Sequence, residues 1–135
     1  MKHLNQFITE YIVNKKLDKA IDSEDHFEYF PKTKKELIEN VKELLSAGKT
    51  NLNCIDTSAI TDMSNLFNRN STIILDNIDI SKWNVSNVEN MLGLFFNCNK
   101  FNCDLSNWDV SNVITIGWMF KGCTSLKNTP SWYEE

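Results

Sequence analysis

Ser81-Lys-Trp-Asn-Val-Ser-Asn-Val-Glu-Asn-Met-Leu-Gly-Leu-Phe-Phe-Asn-Cys-Asn-Lys-Phe101 decides the reading of this chain, because the chain writes it again twenty-five positions later. Ser106, Trp108, Asp109, Val110, Ser111, Asn112, Val113, Ile116, Met119, Phe120, Cys123 and Leu126 follow the order of Ser81, Trp83, Asn84, Val85, Ser86, Asn87, Val88, Met91, Leu94, Phe95, Cys98 and Phe101. Self-similarity at a fixed period marks units that cannot bury their own apolar face alone and must stack on a neighbour.

Working outward, a degraded first copy precedes this pair. Ser58, Ile60, Met63, Leu66 and Phe67 align with Ser86, Val88, Met91, Leu94 and Phe95 at an offset of 28, which places about three extra residues near residues 69–72. A fragment follows the third copy: Pro130-Ser-Trp-Tyr-Glu134 falls in register with Leu105-Ser-Asn-Trp-Asp109, putting Tyr133 at the tryptophan position and leaving Trp132 as an extra aromatic. This fragment reads as a truncated terminal unit that shields the open end or meets a partner.

Within each unit the apolar period changes. Leu75/Ile78/Ile80 and Phe101/Cys103/Leu105 alternate as short strands do, which would turn Asn77, Asp79, Asn102 and Asp104 outward. Ser86 and Glu89 have the spacing of a capping box, predicting a short helical turn through Met91, Leu94 and Phe95. Ahead of the copies, Leu4, Phe7, Ile8, Tyr11 and Ile12 make one stripe on a helix over residues 2–16. Thr33 and Glu36 form a second capping box, Leu37, Ile38, Val41, Leu44 and Leu45 form a second stripe, and Gly48 stands where a helix-terminating glycine belongs. The predicted fold is therefore α+β: one compact domain with a two-helix cap over residues 1–50. Residues 51–135 would form a short leucine-rich-repeat solenoid of about three repeats, with parallel strands, helical turns and a truncated last unit.

Residues 83–98 (Trp-Asn-Val-Ser-Asn-Val-Glu-Asn-Met-x-x-Leu-Phe-x-x-Cys) and residues 105–113 (Leu-Ser-Asn-Trp-Asp-Val-Ser-Asn-Val) resemble the BspA-like leucine-rich repeats. Residues 114–126 are similar to the related treponemal-type repeat, and residues 32–37 to helices that precede such arrays. The resemblance implies a repeat scaffold of the kind found in bacterial surface proteins and mycoplasma-type lipoproteins, and scaffolds leave activity open.

Composition narrows the function classes. The 135 residues carry a net charge of −4, and the excess sits in residues 51–135, with five Lys/Arg against nine acids. An acidic repeat region argues against direct nucleic-acid binding, which needs a basic footprint. It suits a basic protein surface, including one that ordinarily holds nucleic acid. Residues 1–7 lack the continuous apolar core of a signal peptide, and no segment approaches a membrane span, so the expected location is cytoplasmic, or extracellular if a leader was removed. Cys54, Cys98, Cys103 and Cys123 lack zinc-site spacing and read as reduced, buried thiols, with no metal and no cofactor expected.

No nucleophile–base pair and no phosphate loop stands out; Ser58, Ser86 and Ser111 recur at turn positions where capping explains them. The expectation is a non-enzymatic protein-interaction module. The residues that break the repeat carry most information: Trp118 stands where Gly93 and Asn65 stand, and Phe96 where Lys121 and Asn68 stand. An aromatic at a position polar in sister units is not required by the repeat core, and exposed aromatics are binding anchors. The predicted partner-binding set is Asn77, Asp79, Asn102, Asp104, Phe96, Trp118 and Trp132. One form of this reading is a phage-encoded inhibitor of a host defence protein, such as a CRISPR effector; the alternative is a surface adhesin or lipoprotein repeat domain.

Overall fold

The structure, a computed structural model, describes residues 26–68 and 77–134. The predicted helix over residues 2–16, Leu75, and the insertion near residues 69–72 lie outside the described residues. Helix α1 (Lys34–Ser46) forms as its punctuation predicts. The Glu36 amide donates to Thr33 Oγ1 at 3.2 Å, and Glu36 reaches back to accept from the Lys32 amide at 3.2 Å. At the other end Gly48 takes φ +76, while its amide and that of Lys49 donate to the Leu45 and Leu44 carbonyls at 3.0 and 2.9 Å. That is a Schellman ending, which needs a residue tolerant of the left-handed region. Leu37, Val41 and Leu44 are buried, with Ile38 and Leu45 partly so.

The strand-bearing solenoid expected beyond α1 is not what the chain builds. Among the described residues α1 is the one helix, and extended pairing is confined to isolated parallel bridges, Tyr29 with Ile55, Asn51 with Asp79, and Asn90 with both Asp62 and Thr115. Among the described residues there is no sheet, and no helical turn follows Ser86. The reason is a motif written repeatedly into the copies: Asp or Asn, any residue, then Ser. The amides of Ser58, Ser64, Ser81, Ser86, Ser106 and Ser111 donate to the Oδ1 atoms of Asp56, Asp62, Asp79, Asn84, Asp104 and Asp109 at 2.8–3.1 Å. Each is an Asx turn that bends the backbone through its own side chain. The turns come in pairs five or six residues apart, at 56 and 62, 79 and 84, and 104 and 109, and a chain turned that closely cannot extend into a strand there. Ser86 is thus not a helix cap; its amide and hydroxyl both point at Asn84.

Successive copies are nevertheless joined backbone to backbone. The Met63, Asn65 and Phe67 amides donate to the Asn90, Leu92 and Leu94 carbonyls at 2.8–2.9 Å. One copy on, those of Met91, Gly93, Phe95 and Asn97 donate to Thr115, Gly117, Met119 and Lys121 at 2.7–3.0 Å. Side chains repeat the register. Asn87 Nδ2 donates to the Ser58 carbonyl at 2.7 Å and Asn112 Nδ2 to that of Ser86 at 2.6 Å. Cys98 Sγ meets the Phe67 carbonyl at 2.7 Å and Cys123 Sγ that of Phe95 at 3.0 Å.

Aromatic rings fill the interior of this column. Phe67, Phe95 and Phe120 stack at centroid spacings of 5.6 Å, with interplanar angles of 10° and 11°. Beside each lies a tryptophan: Trp83 on Phe67 at 5.8 Å, Trp108 on Phe95 at 6.2 Å, Trp132 on Phe120 at 6.2 Å. A buried indole N–H needs an acceptor. Trp83 finds the Leu52 carbonyl at 2.9 Å, Trp108 that of Ile80 at 3.1 Å and Trp132 that of Leu105 at 2.9 Å. The last of these corrects the terminal alignment in part. The Tyr133 amide bonds Pro130 as that of Trp108 bonds Leu105, at 3.0 and 3.1 Å, so the backbone register is as expected. The indole in the ladder, however, belongs to Trp132, stacked on Trp108 at 6.4 Å and 8°.

Candidate functional site

Three side-by-side columns of the stack decide where an apolar surface opens. Ser64, Leu92 and Gly117 form one by register; Asn65, Gly93 and Trp118 the next; Asn68, Phe96 and Lys121 the third. The middle column is fixed by the backbone, which takes φ of 55° at Asn65, 61° at Gly93 and 58° at Trp118. Gly and Asn enter that left-handed region at little cost, and a tryptophan does not. Gly93 is further required because a Cβ there would collide with the Asn65 side chain.

Large side chains at Leu92, Phe96 and Trp118, set among small ones at Gly93 and Gly117, leave a groove of about 440 Å³, with Asn65 and Asn68 at one end. Phe96 is half-buried and Trp118 is 60% exposed, and their rings stack at 5.8 Å and 26°. Lys121 Nζ lies 5.2 Å from the centre of the Trp118 ring, near enough for a cation–π contact. Leu92 at 40% and Ile114 at 82% exposure add to the uncovered apolar residues.

The predicted site residues divide on this geometry. Phe96 and Trp118 come together and line the groove. Trp132 is half-buried and held by Trp108 and the Leu105 carbonyl, so it is engaged in the ladder rather than presented outward. Asn77, Asn102 and Asp104 are exposed and Asp79 is half-buried, and none of the four lines the groove. The outward sheet face they were expected to share does not exist; Asp79 and Asp104 are turn-builders. Burial raises the Asp79 carboxyl, but the hydroxyl and amide of Ser81 outweigh it and leave its pKa below the ordinary value. The amide and hydroxyl of Ser106 lower Asp104 likewise. Gly117, Leu92 and Ile114 were missed by sequence reasoning; the signal available was the column of residues flanking Trp118.

Cys98 and Cys123 are buried as expected, whereas Cys54 and Cys103 are only half-buried. Burial pushes Cys98 up to about 12, with Cys123 beside it adding to the effect, and burial pushes Cys123 up to about 11. Both shifts favour the neutral thiol near neutrality. No group of His, Cys, Asp and Glu suited to a metal occurs among the described residues. No helix among them is long and apolar enough to cross a membrane.

Residues 32–134 match a family model described as "Mycoplasma protein of unknown function, DUF285", a family related to the BspA-like repeat proteins. No curated protein and no solved structure matches the chain.

Proposed function

We propose, for a chain that belongs to the DUF285 family of Mycoplasma-type proteins of unknown function, a non-enzymatic role: it binds a protein partner through the groove between Phe96 and Trp118. One observation carries the reading. Trp118 is held at φ 58° where its sister copies have Asn and Gly, and it remains largely exposed. A side chain that strains its backbone and contributes little to the core is retained for something it touches outside the fold.

The partner is a protein that inserts an apolar side chain into the groove and carries basic residues around it, since the copies hold the chain's acidic excess. A nucleic-acid-binding host protein, a defence protein among them, has that character. Family membership favours one other reading, a repeat domain of a bacterial surface protein that uses the same groove on an extracellular protein.

The test is affinity capture from host lysate with the native chain and with a Phe96→Ser/Trp118→Ser variant whose circular dichroism matches the native. A discrete protein held by the first and released by the second, and eluted by raised salt, is the expected result. Equal capture by both chains would remove the groove from the account.

A further inference from the structure

Within one stretch of each copy the amides all donate the same way, and among the described residues this leaves one row of donors in the third copy without an acceptor. Alternate amides over residues 63–67 and 91–97 donate forward to carbonyls of the next copy, while just before them Glu89 donates back to Thr61 and Ile114 back to Glu89. In the third copy the equivalent donors are the amides of Ile116, Trp118, Phe120 and Gly122, and among the described residues these four donate to nothing. Trp132 and Tyr133 cover the Trp108 and Phe120 rings, with the Trp132 indole donating to the Leu105 carbonyl and the Tyr133 amide to that of Pro130.

At the opposite end of the stack Lys34 of α1 occupies one carbonyl of the corresponding row. On the first copy, the Ser64 carbonyl, equivalent to that of Gly117, accepts from Lys34 Nζ of α1 at 3.1 Å, and Lys34 also pairs with Asp62 at 3.4 Å. A second copy stacking head to tail would have to displace Lys34 from the Ser64 carbonyl and from Asp62. Tail to tail, it would set amides against amides. The row needs a backbone that brings carbonyls.

We infer that the open row is a strand-capture edge: a segment of the protein partner lies along residues 116–122 as a further rung, placing alternate carbonyls on the four amides while a neighbouring apolar side chain enters the groove beside Trp118. This rests on the protein-binding reading above and deepens it. Main-chain pairing supplies affinity in such additions, and the adjoining pocket supplies selectivity. The rung shape also sets a sequence requirement. Positions 65, 93 and 118 all take φ of 55–61°, a conformation that Gly and Asn enter at least cost and a β-branched residue resists most, so the captured segment is expected to carry Gly or Asn at its midpoint.

The test is residue-resolved amide exchange on the full chain. The probe is a synthetic peptide reproducing residues 88–98, whose own carbonyls serve this purpose within the protein; the comparison peptide carries Gly93→Val. In the free chain the Ile116, Trp118, Phe120 and Gly122 amides should exchange much faster than their sisters Met91, Gly93, Phe95 and Asn97. Saturating probe should slow the four roughly tenfold or more, and the valine peptide should not. Full protection in the free chain, no change with probe, or equal protection by the valine peptide would each overturn the proposal. Repeating it on Trp118→Gly separates this edge from the groove. Retained protection at Ile116, Phe120 and Gly122 supports the edge whatever becomes of partner capture, and its loss assigns the effect to the groove alone.

Discussion

Replacing Trp118 by glycine should barely change stability while abolishing partner capture. A non-glycine residue in the left-handed region costs about 1–2 kcal/mol, all of which Gly relieves. Against that, the variant loses the ring contact with Phe96 and the Lys121 cation, together about 1 kcal/mol at so exposed a site. Glycine's greater freedom in the unfolded chain takes back roughly 0.5–1 kcal/mol more. These nearly cancel, so urea unfolding followed by far-ultraviolet circular dichroism should place Trp118→Gly within about 1 kcal/mol of the native chain, or within about 4 °C in Tm. Phe95→Ala is the control for a ring the column depends on: Phe95 is fully buried, and its loss should cost about 3–5 kcal/mol. Capture of the partner should fall about 30-fold or more in Trp118→Gly, the effect of losing a central aromatic anchor worth about 2 kcal/mol. A loss of stability beyond about 2 kcal/mol, or undiminished capture, would refute the reasoning.

Gly93→Ala should destabilise by about 1–2 kcal/mol or more, because it combines a positive φ with a collision against Asn65, and thermal melting will read it. Asp79→Asn should leave stability at neutral pH little changed, since Asn84 holds the same kind of turn through the same oxygen, whereas Asp79→Ala should cost about 1 kcal/mol in urea unfolding. The pH dependence has a fixed sign. Asp62 and Asp79 are lowered in the fold, so the stability they supply is present above the unfolded carboxylate pKa of about 3.9 and is lost as pH falls through the folded values. Urea midpoints should therefore decline on the acid side of about pH 4, less steeply in Asp79→Asn. Cys98 and Cys123 should resist iodoacetamide at pH 8 in the native chain and react on unfolding, followed by mass spectrometry.

The period, the buried phenylalanines and α1 with both its caps were legible in the sequence, because each rests on spacing alone. The strands were not, and the reason lies in residues that were in plain view. Ile78 and Ile80, or Phe101 and Leu105, do alternate inward. Yet Asp79 and Asp104 between them spend their carboxylates on the Ser81 and Ser106 amides, which turns the chain before an extended run can form. Local side-chain bonding overrode apolar periodicity. The same oversight placed Asp79 and Asp104 on an outward sheet face that the described residues do not build. The aromatic pair was legible because both residues depart from their sister copies. What the alignment did not expose was why Asn65 and Gly93 occupy that column, namely its positive φ, and it is this backbone demand that turns Trp118 from an irregularity into a residue with a cost. Trp132 and Tyr133 show the limit of register arguments: the backbone keeps step while the neighbouring side chain fills the ladder.

Site-specific photocrosslinking in living host cells tests the binding surface most directly, with a photoreactive phenylalanine analogue carried in place of Trp118 or, in a parallel strain, in place of Asn102. The account predicts one discrete protein adduct from position 118 and none from position 102. An adduct from position 102 with none from 118 would contradict it.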